Sequence, residues 1–305
     1  MPNSTAENEL ATRGDSGPNY QITLSVSNRS TSEKLTTVLV HEYTHATNVQ
    51  RPDFESVLKL DGAQKRVEAA VSEGSATYVA QEYADRYGDA WPNQERFCES
   101  YDDGSAAARL WLGQYCVGAR YVDDRIDDPA NLATVYRNPP NTTEQVRHGY
   151  LPDEEPPMSM PVNATTTDSW DVVERHRQGE LWTYAVLSTH LADARADAAA
   201  TGWGNDTRLT YRNFDRDGYV WVTRWDSPDD ADEFETAMTA HVENATDGAT
   251  TNANFRVVRV DPVSVVVLVG DEGFVDGATA TATDDGVVVH PPNATHFSAS
   301  ANPVA

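Results

Sequence analysis

His41-Glu42-Tyr43-Thr44-His45 sets two imidazoles four residues apart, with a carboxylate directly after the first. On an extended strand those rings would stand about 13 Å apart. On an α-helix they stack one turn above the other and reach a common point. The spacing therefore demands a helix here. The flanks agree: Ser30 to Glu33 spells a capping box, so a helix is expected to begin near Thr31, carry Leu35, Val38 and Leu39, and end near Asn48.

Two converging imidazoles suit a metal ion. Zinc takes imidazole nitrogen readily, and its catalytic sites use three protein ligands and keep one position open. Glu42 lies one step round the helix. It is too far round to be a good ligand but is well placed to take a proton from a water, as a general base must. A second capping signal, Asp61 followed by Gln64, opens a helix running through Val67, Val71, Ala76 and Val79 to Tyr87, where Gly88 stops it. Glu73 sits on that helix among Ala69, Ala70, Ala76, Thr77 and Ala80. This small-residue face is expected to approach the first helix closely, which makes Glu73 the third ligand. Glu68 lies about 140° round the helix from it, and Glu82 faces away. The expected site is Zn2+ held by His41, His45 and Glu73, with Glu42 catalytic.

Charge narrows the surroundings. The formal net charge is -25, with 23 Lys and Arg against 48 Asp and Glu, and the three lysines all fall by residue 65. Such a surface repels itself in dilute salt and stays soluble where salt screens it, which points to a salty environment. It also excludes nucleic acid as a partner, because phosphate binding needs basic patches. No run of about 18 apolar residues could span a membrane. Seven N-x-S/T sequons, at Asn3, Asn28, Asn141, Asn163, Asn205, Asn244 and Asn293, favour export. Cys98 and Cys116 fit either one disulfide in an exported chain or two buried thiols.

The fold class expected is α+β, a mostly helical metal-site core over 19–200 followed by a small α+β unit over 201–277. Residues 1–18 read as a disordered lead-in and 278–305 as a loosely ordered tail. Ile22, Leu24 and Val26 alternate with polar residues, so 21–27 is a half-buried strand. Further helices are expected near 93–101, 104–126 and 179–199, with a long loop over 138–168. Strands at 207–213 and 218–225, a helix at 229–246 and strands at 255–260 and 262–269 complete the chain. Asp123-Asp124 and Asp229-Asp230 lack the alternating ligands of a calcium loop and read as solvated surface.

His-Glu-Tyr-Thr-His followed by Glu73-Gly74-Ser75-Ala76-Thr77-Tyr78 resembles the gluzincin pattern, in which a downstream Glu-Gly-x-Ala supplies the third zinc ligand. Twenty-seven residues separate His45 from Glu73, where aminopeptidases and thermolysin-like enzymes have about eighteen to nineteen. The strand at 21–27 resembles the edge on which zincins lay an extended substrate. Pro139 through His148, Gly179-Glu180, Gly202-Trp203-Gly204-Asn205-Asp206 and Trp221 through Asp226 are similar to segments of uncharacterised zincin-like metallopeptidases on haloarchaeal surfaces and in bacterial relatives. The resemblance implies a zincin-like core, a peptide or protein substrate, and a location outside the cell or on its surface. Members carry an export signal and a segment before the motif helix, so this chain is expected to be a truncated or mis-started member. His148, after the family-like Thr-Glu-Gln-Val segment, is the candidate for stabilising an oxyanion, with Tyr78 and Tyr150 as rivals. The alternative function is a non-catalytic surface glycoprotein that keeps the scaffold for binding or envelope structure. The oligomeric state is not legible.

Overall fold

The computed structural model describes residues 13–16, 21–60, 64–88, 91–246 and 253–293. The class is α+β, and the chain forms two compact units, 1–156 and 157–305.

In the first unit a short antiparallel hairpin, β1 (Arg13–Ser16) and β2 (Ile22–Ser25), precedes the motif helix α1 (Ser32–Asn48). The cap of α1 is Thr31, whose Oγ1 accepts from the Lys34 N–H at 3.3 Å, one residue past the expected Ser30 box. A 3-10 turn (Pro52–Phe54) and α2 (Glu55–Leu58) lead to α3 (Lys65–Tyr87), which Gly88 ends in the left-handed conformation at φ 69°. Asp61, the expected cap of α3, lies outside the described residues. Then come α4 (Asn93–Asp102) and α5 (Ala106–Asp123). Cys98 and Cys116 form a disulfide that ties α4 to α5. Helix α6 (Ala133–Arg137) and α7 (Thr143–His148) follow. Helix α7 lies inside the stretch expected to be loop. A full capping box between Thr142 and Gln145 starts it, and Gln145 also donates to the Pro152 and Glu154 carbonyls, which pins the following turn.

The second unit begins earlier than the expected boundary at 201. Residues 157–200 belong to it because β4 (Asp171–His176) is a strand of its main sheet. That antiparallel sheet has the order β4-β5-β6-β8-β7, with β5 (Trp203–Asn213), β6 (Arg216–Trp225), β7 (Asn254–Asp261) and β8 (Ser264–Gly270). The expected helix at 179–199 is two, α8 (Glu180–Leu187) and α9 (Asp193–Ala198). Ser188 and Thr189 hydroxyls donate to the Ala185 and Val186 carbonyls and compete with the helix at that break. Helix α10 (Pro228–Thr246) brings Phe234 against Trp221 and Trp225. Residues 278–293, part of the stretch expected to be a loosely ordered tail, carry two strands, and the rest of that stretch lies outside the described residues. Behind α11 (Glu272–Gly277), β9 (Thr279–Thr283) and β10 (Gly286–His290) join β3 (Val162–Ala164) in a three-stranded sheet. Leu209, Tyr211, Val220 and Val222 of the main sheet, with Trp170, Phe274 and Val289, form one apolar core.

Three stretches of this unit, Gly179-Glu180, Gly202–Asp206 and Trp221–Asp226, meet at one buried carboxylate. Asp206 accepts from the Gln178 and Gly179 backbone N–H groups and from Trp221 Nε1–H at 2.8–3.1 Å. Burial pushes its carboxyl upward against the pull of these donors.

Candidate metal centre

Helix geometry brings His41 and His45 together, and α3 delivers Glu73 to the same point. His41 Nε2 lies 3.1 Å from Glu73 Oε2 and 3.1 Å from His45 Nε2, and His45 Nε2 lies 3.3 Å from Glu73 Oε2. Among the described residues this is the one grouping of three or more His, Cys, Asp or Glu that could hold a metal ion. The side chains are 10 %, 14 % and 26 % exposed, so the group is mostly covered. Burial alone would raise the Glu73 carboxyl, but hydrogen bonds and charge from both histidines outweigh it and bring it down to about 2. Burial opposes protonation of His45, while the Glu73 and Glu42 carboxylates more than compensate and raise it.

The rival third ligand is engaged elsewhere. Glu68 is paired with Lys65 one turn back on α3. Glu42 is 8 % exposed, and the main chain at Gly14 rests on its side chain.

A second layer of residues surrounds the ligands. Asn93 is buried with its amide 3.4 Å from His41 Nδ1, and Ser72 Oγ is 3.4 Å from His45 Nδ1. A histidine that binds a metal through Nε2 carries its proton on Nδ1, so an acceptor at that position fixes ring and tautomer. The Asn93 carbonyl oxygen supplies one when the amide is turned round. The Tyr115 ring lies 6.0 Å from that of His41, stacked on Phe97. No motif or spacing in the sequence marks Asn93 or Ser72. Tyr115 had one signal: it adjoins Cys116, and Phe97 adjoins the partner Cys98, so the disulfide draws the two rings together.

His148 ends α7 and stacks on Tyr150 at 5.3 Å between ring centroids. It is not a member of the metal-competent group. Tyr78 is 2 % exposed and donates its hydroxyl to the Ile126 carbonyl at 3.1 Å, a packing role.

Residues 167–299 match the family model described as Domain of unknown function (DUF8575). The matched stretch lies in the second unit and does not include His41, His45 or Glu73. No curated protein and no solved structure matches the chain.

Proposed function

We propose that this chain is a zincin-like, gluzincin-type zinc peptidase acting outside the cell or at the surface of a salt-adapted organism. The observation that carries the reading is the triangle of ligand atoms, 3.1, 3.1 and 3.3 Å on its edges. Three donors of a zinc tetrahedron at about 2.0–2.2 Å from the ion stand about 3.3–3.5 Å apart, so the donor set fits with little adjustment. Two imidazoles and one carboxylate leave a fourth position open, as catalytic sites do.

When bound, zinc polarises a carbonyl and acidifies a water. The protein's part falls to named residues. His41, His45 and Glu73 hold the ion, and Asn93 and Ser72 fix the rings. Glu42 takes the proton from the attacking water and passes it to the leaving amine. His148 remains the proposed oxyanion donor, and the Tyr115 ring packs beside that of His41. The disulfide and the exposed sequons Asn28, Asn163 and Asn293 support export. Asn205 does not add to that support, because it is 8 % exposed and its amide donates to the Met158 carbonyl.

The test is zinc content and hydrolysis measured in molar salt on unfolded protein substrates. Wild type should hold about one zinc per chain. Glu42→Gln should keep the metal and lose hydrolysis by at least about a hundredfold, since the amide cannot accept the proton. Equal hydrolysis by the two proteins would reject Glu42 as the base. A second reading, a surface glycoprotein that keeps the scaffold for binding, is favoured by the chain lying over Glu42. It wins if zinc is held and no peptide is cut.

A further inference from the structure

The covering of Glu42 has a defined cause. Strand β1 pairs antiparallel with β2 from Arg13 opposite Ser25 to Ser16 opposite Ile22. Gly14 lies within it, and a Cβ there would meet Oε1 of Glu42 at 2.6 Å and Cδ at 2.7 Å. A side chain at this position would have to displace that of Glu42, with Cγ the atom it meets first. The strand also occupies the hydrogen-bonding groups along one of the two edges of β2, and an extended peptide could use that edge only in its place. Its hold is short. β1 and β2 have four residues each, they form a sheet of their own, and Ile22 and Leu24 are only half-buried. A two-stranded hairpin of this kind is marginal by itself.

We infer that β1 is a self-supplied strap: residues 13–16 seat on the β2 edge, cover Glu42, and hold the site closed until they lift. The inference rests on the zinc-peptidase reading, because covering a general base matters only if the base works. Closure of this kind lowers the apparent affinity of any ligand by the fraction of open molecules.

The experiment uses the full chain, zinc-loaded, in molar salt, with an N-blocked dipeptide hydroxamate as the probe of the open site. Gly14→Val puts a branched side chain where the Glu42 carboxylate lies and should free the strand. If the strap is closed in about nine molecules of ten, Gly14→Val binds the hydroxamate about tenfold more tightly than wild type. A second variant replaces residues 17–20 with a site for a specific protease, and the same preparation is titrated before and after the cut. Tighter binding after the cut supports the strap even if Gly14→Val folds poorly. If both opened proteins hold zinc and bind the hydroxamate no more tightly than wild type, the strap is overturned while the zinc reading stands. If wild type holds no zinc by metal analysis, the zinc reading falls, and the strap with it.

Discussion

Gly74 on α3 and Gly118 on α5 meet backbone to backbone. A Cβ at Gly74 would fall 2.7 Å from the Ala119 amide nitrogen, and one at Gly118 would press on the carbonyl of Ala70. This crossing fixes the depth of α3, and with it the position of Glu73, the residue just before Gly74. Gly118→Val should push the helices apart. Overpacking of this kind costs about 1–3 kcal/mol, read as a lower unfolding midpoint. Zinc affinity should fall with it, because Glu73 moves away from His41 and His45. A Gly118→Val protein that is destabilised yet binds zinc as wild type would show that Glu73 is placed by something other than this crossing.

The choice between the two glutamates of α3 is testable directly. Glu73 lies 3.1 and 3.3 Å from the two imidazoles, whereas Glu68 is paired with Lys65. Glu73→Ala should therefore bind zinc at least about a hundredfold more weakly, having lost one of three protein ligands, and Glu68→Ala should bind as wild type. Competition with a chromogenic chelator measures both. The reverse ranking would assign the third ligand to Glu68.

The metal group was legible because its information is local. Residues four apart on a helix share a face whatever the rest of the chain does, and Gly88 ends α3 for an equally local reason. Partnership between helices was legible only in part. The face around Glu73 does approach α1, as expected, but Ala70 and Gly74 of the same helix also pack on Gly118 of α5, a partner that the sequence did not name. Small residues announce a close approach without naming the partner. Asn93 and Tyr115 escaped notice because only the packing of α4 and α5 brings them beside His41. Strand β9 hid for another reason: Thr279–Thr283 alternates threonine with alanine, a pattern with little apolar contrast.

The Cys98–Cys116 disulfide joins α4, which carries Asn93, to α5, which carries Gly118. It closes a loop of 18 residues. Chain-entropy arguments put the stabilisation near 3 kcal/mol for a loop of about this length. The Cys98→Ser, Cys116→Ser double variant should lose about that much in denaturant unfolding. Zinc binding should weaken too, through loss of the Asn93 position. Unchanged stability would mean that α4 and α5 are held by packing alone.

Net charge sets the salt response. With -25 formal charges, lowering the salt lengthens the range over which carboxylates repel. The thermal unfolding midpoint should fall steadily from molar salt to about 0.1 M. A midpoint indifferent to salt would remove the case for a salt-adapted surface.

His241 on α10 supplies the pH prediction. It is 7 % exposed and packs against the His190 ring at 5.1 Å, with Thr189 Oγ1 3.5 Å from its Nδ1. Burial first, then the neighbouring His190, lowers its pKa to about 4, although a hydrogen bond at the Leu187 backbone works the other way. The folded protein thus keeps this ring neutral where an unfolded chain, with an ordinary histidine near 6.5, takes up a proton. Between those two values the unfolded state binds more protons, so stability falls as the pH is lowered. Above about 6.5 both states are neutral and the contribution is complete; below about 4 both are charged and nothing further is lost. The loss across the window is of order 3 kcal/mol. Carboxylates titrate in the same range, so the quantity to measure is the difference between wild type and His241→Phe, which cannot take up a proton. Unfolding midpoints recorded in molar salt from pH 7 to pH 4 should converge or cross as wild type loses its share. Parallel curves would show that the His241 ring is protonated as readily in the folded chain as in the unfolded one.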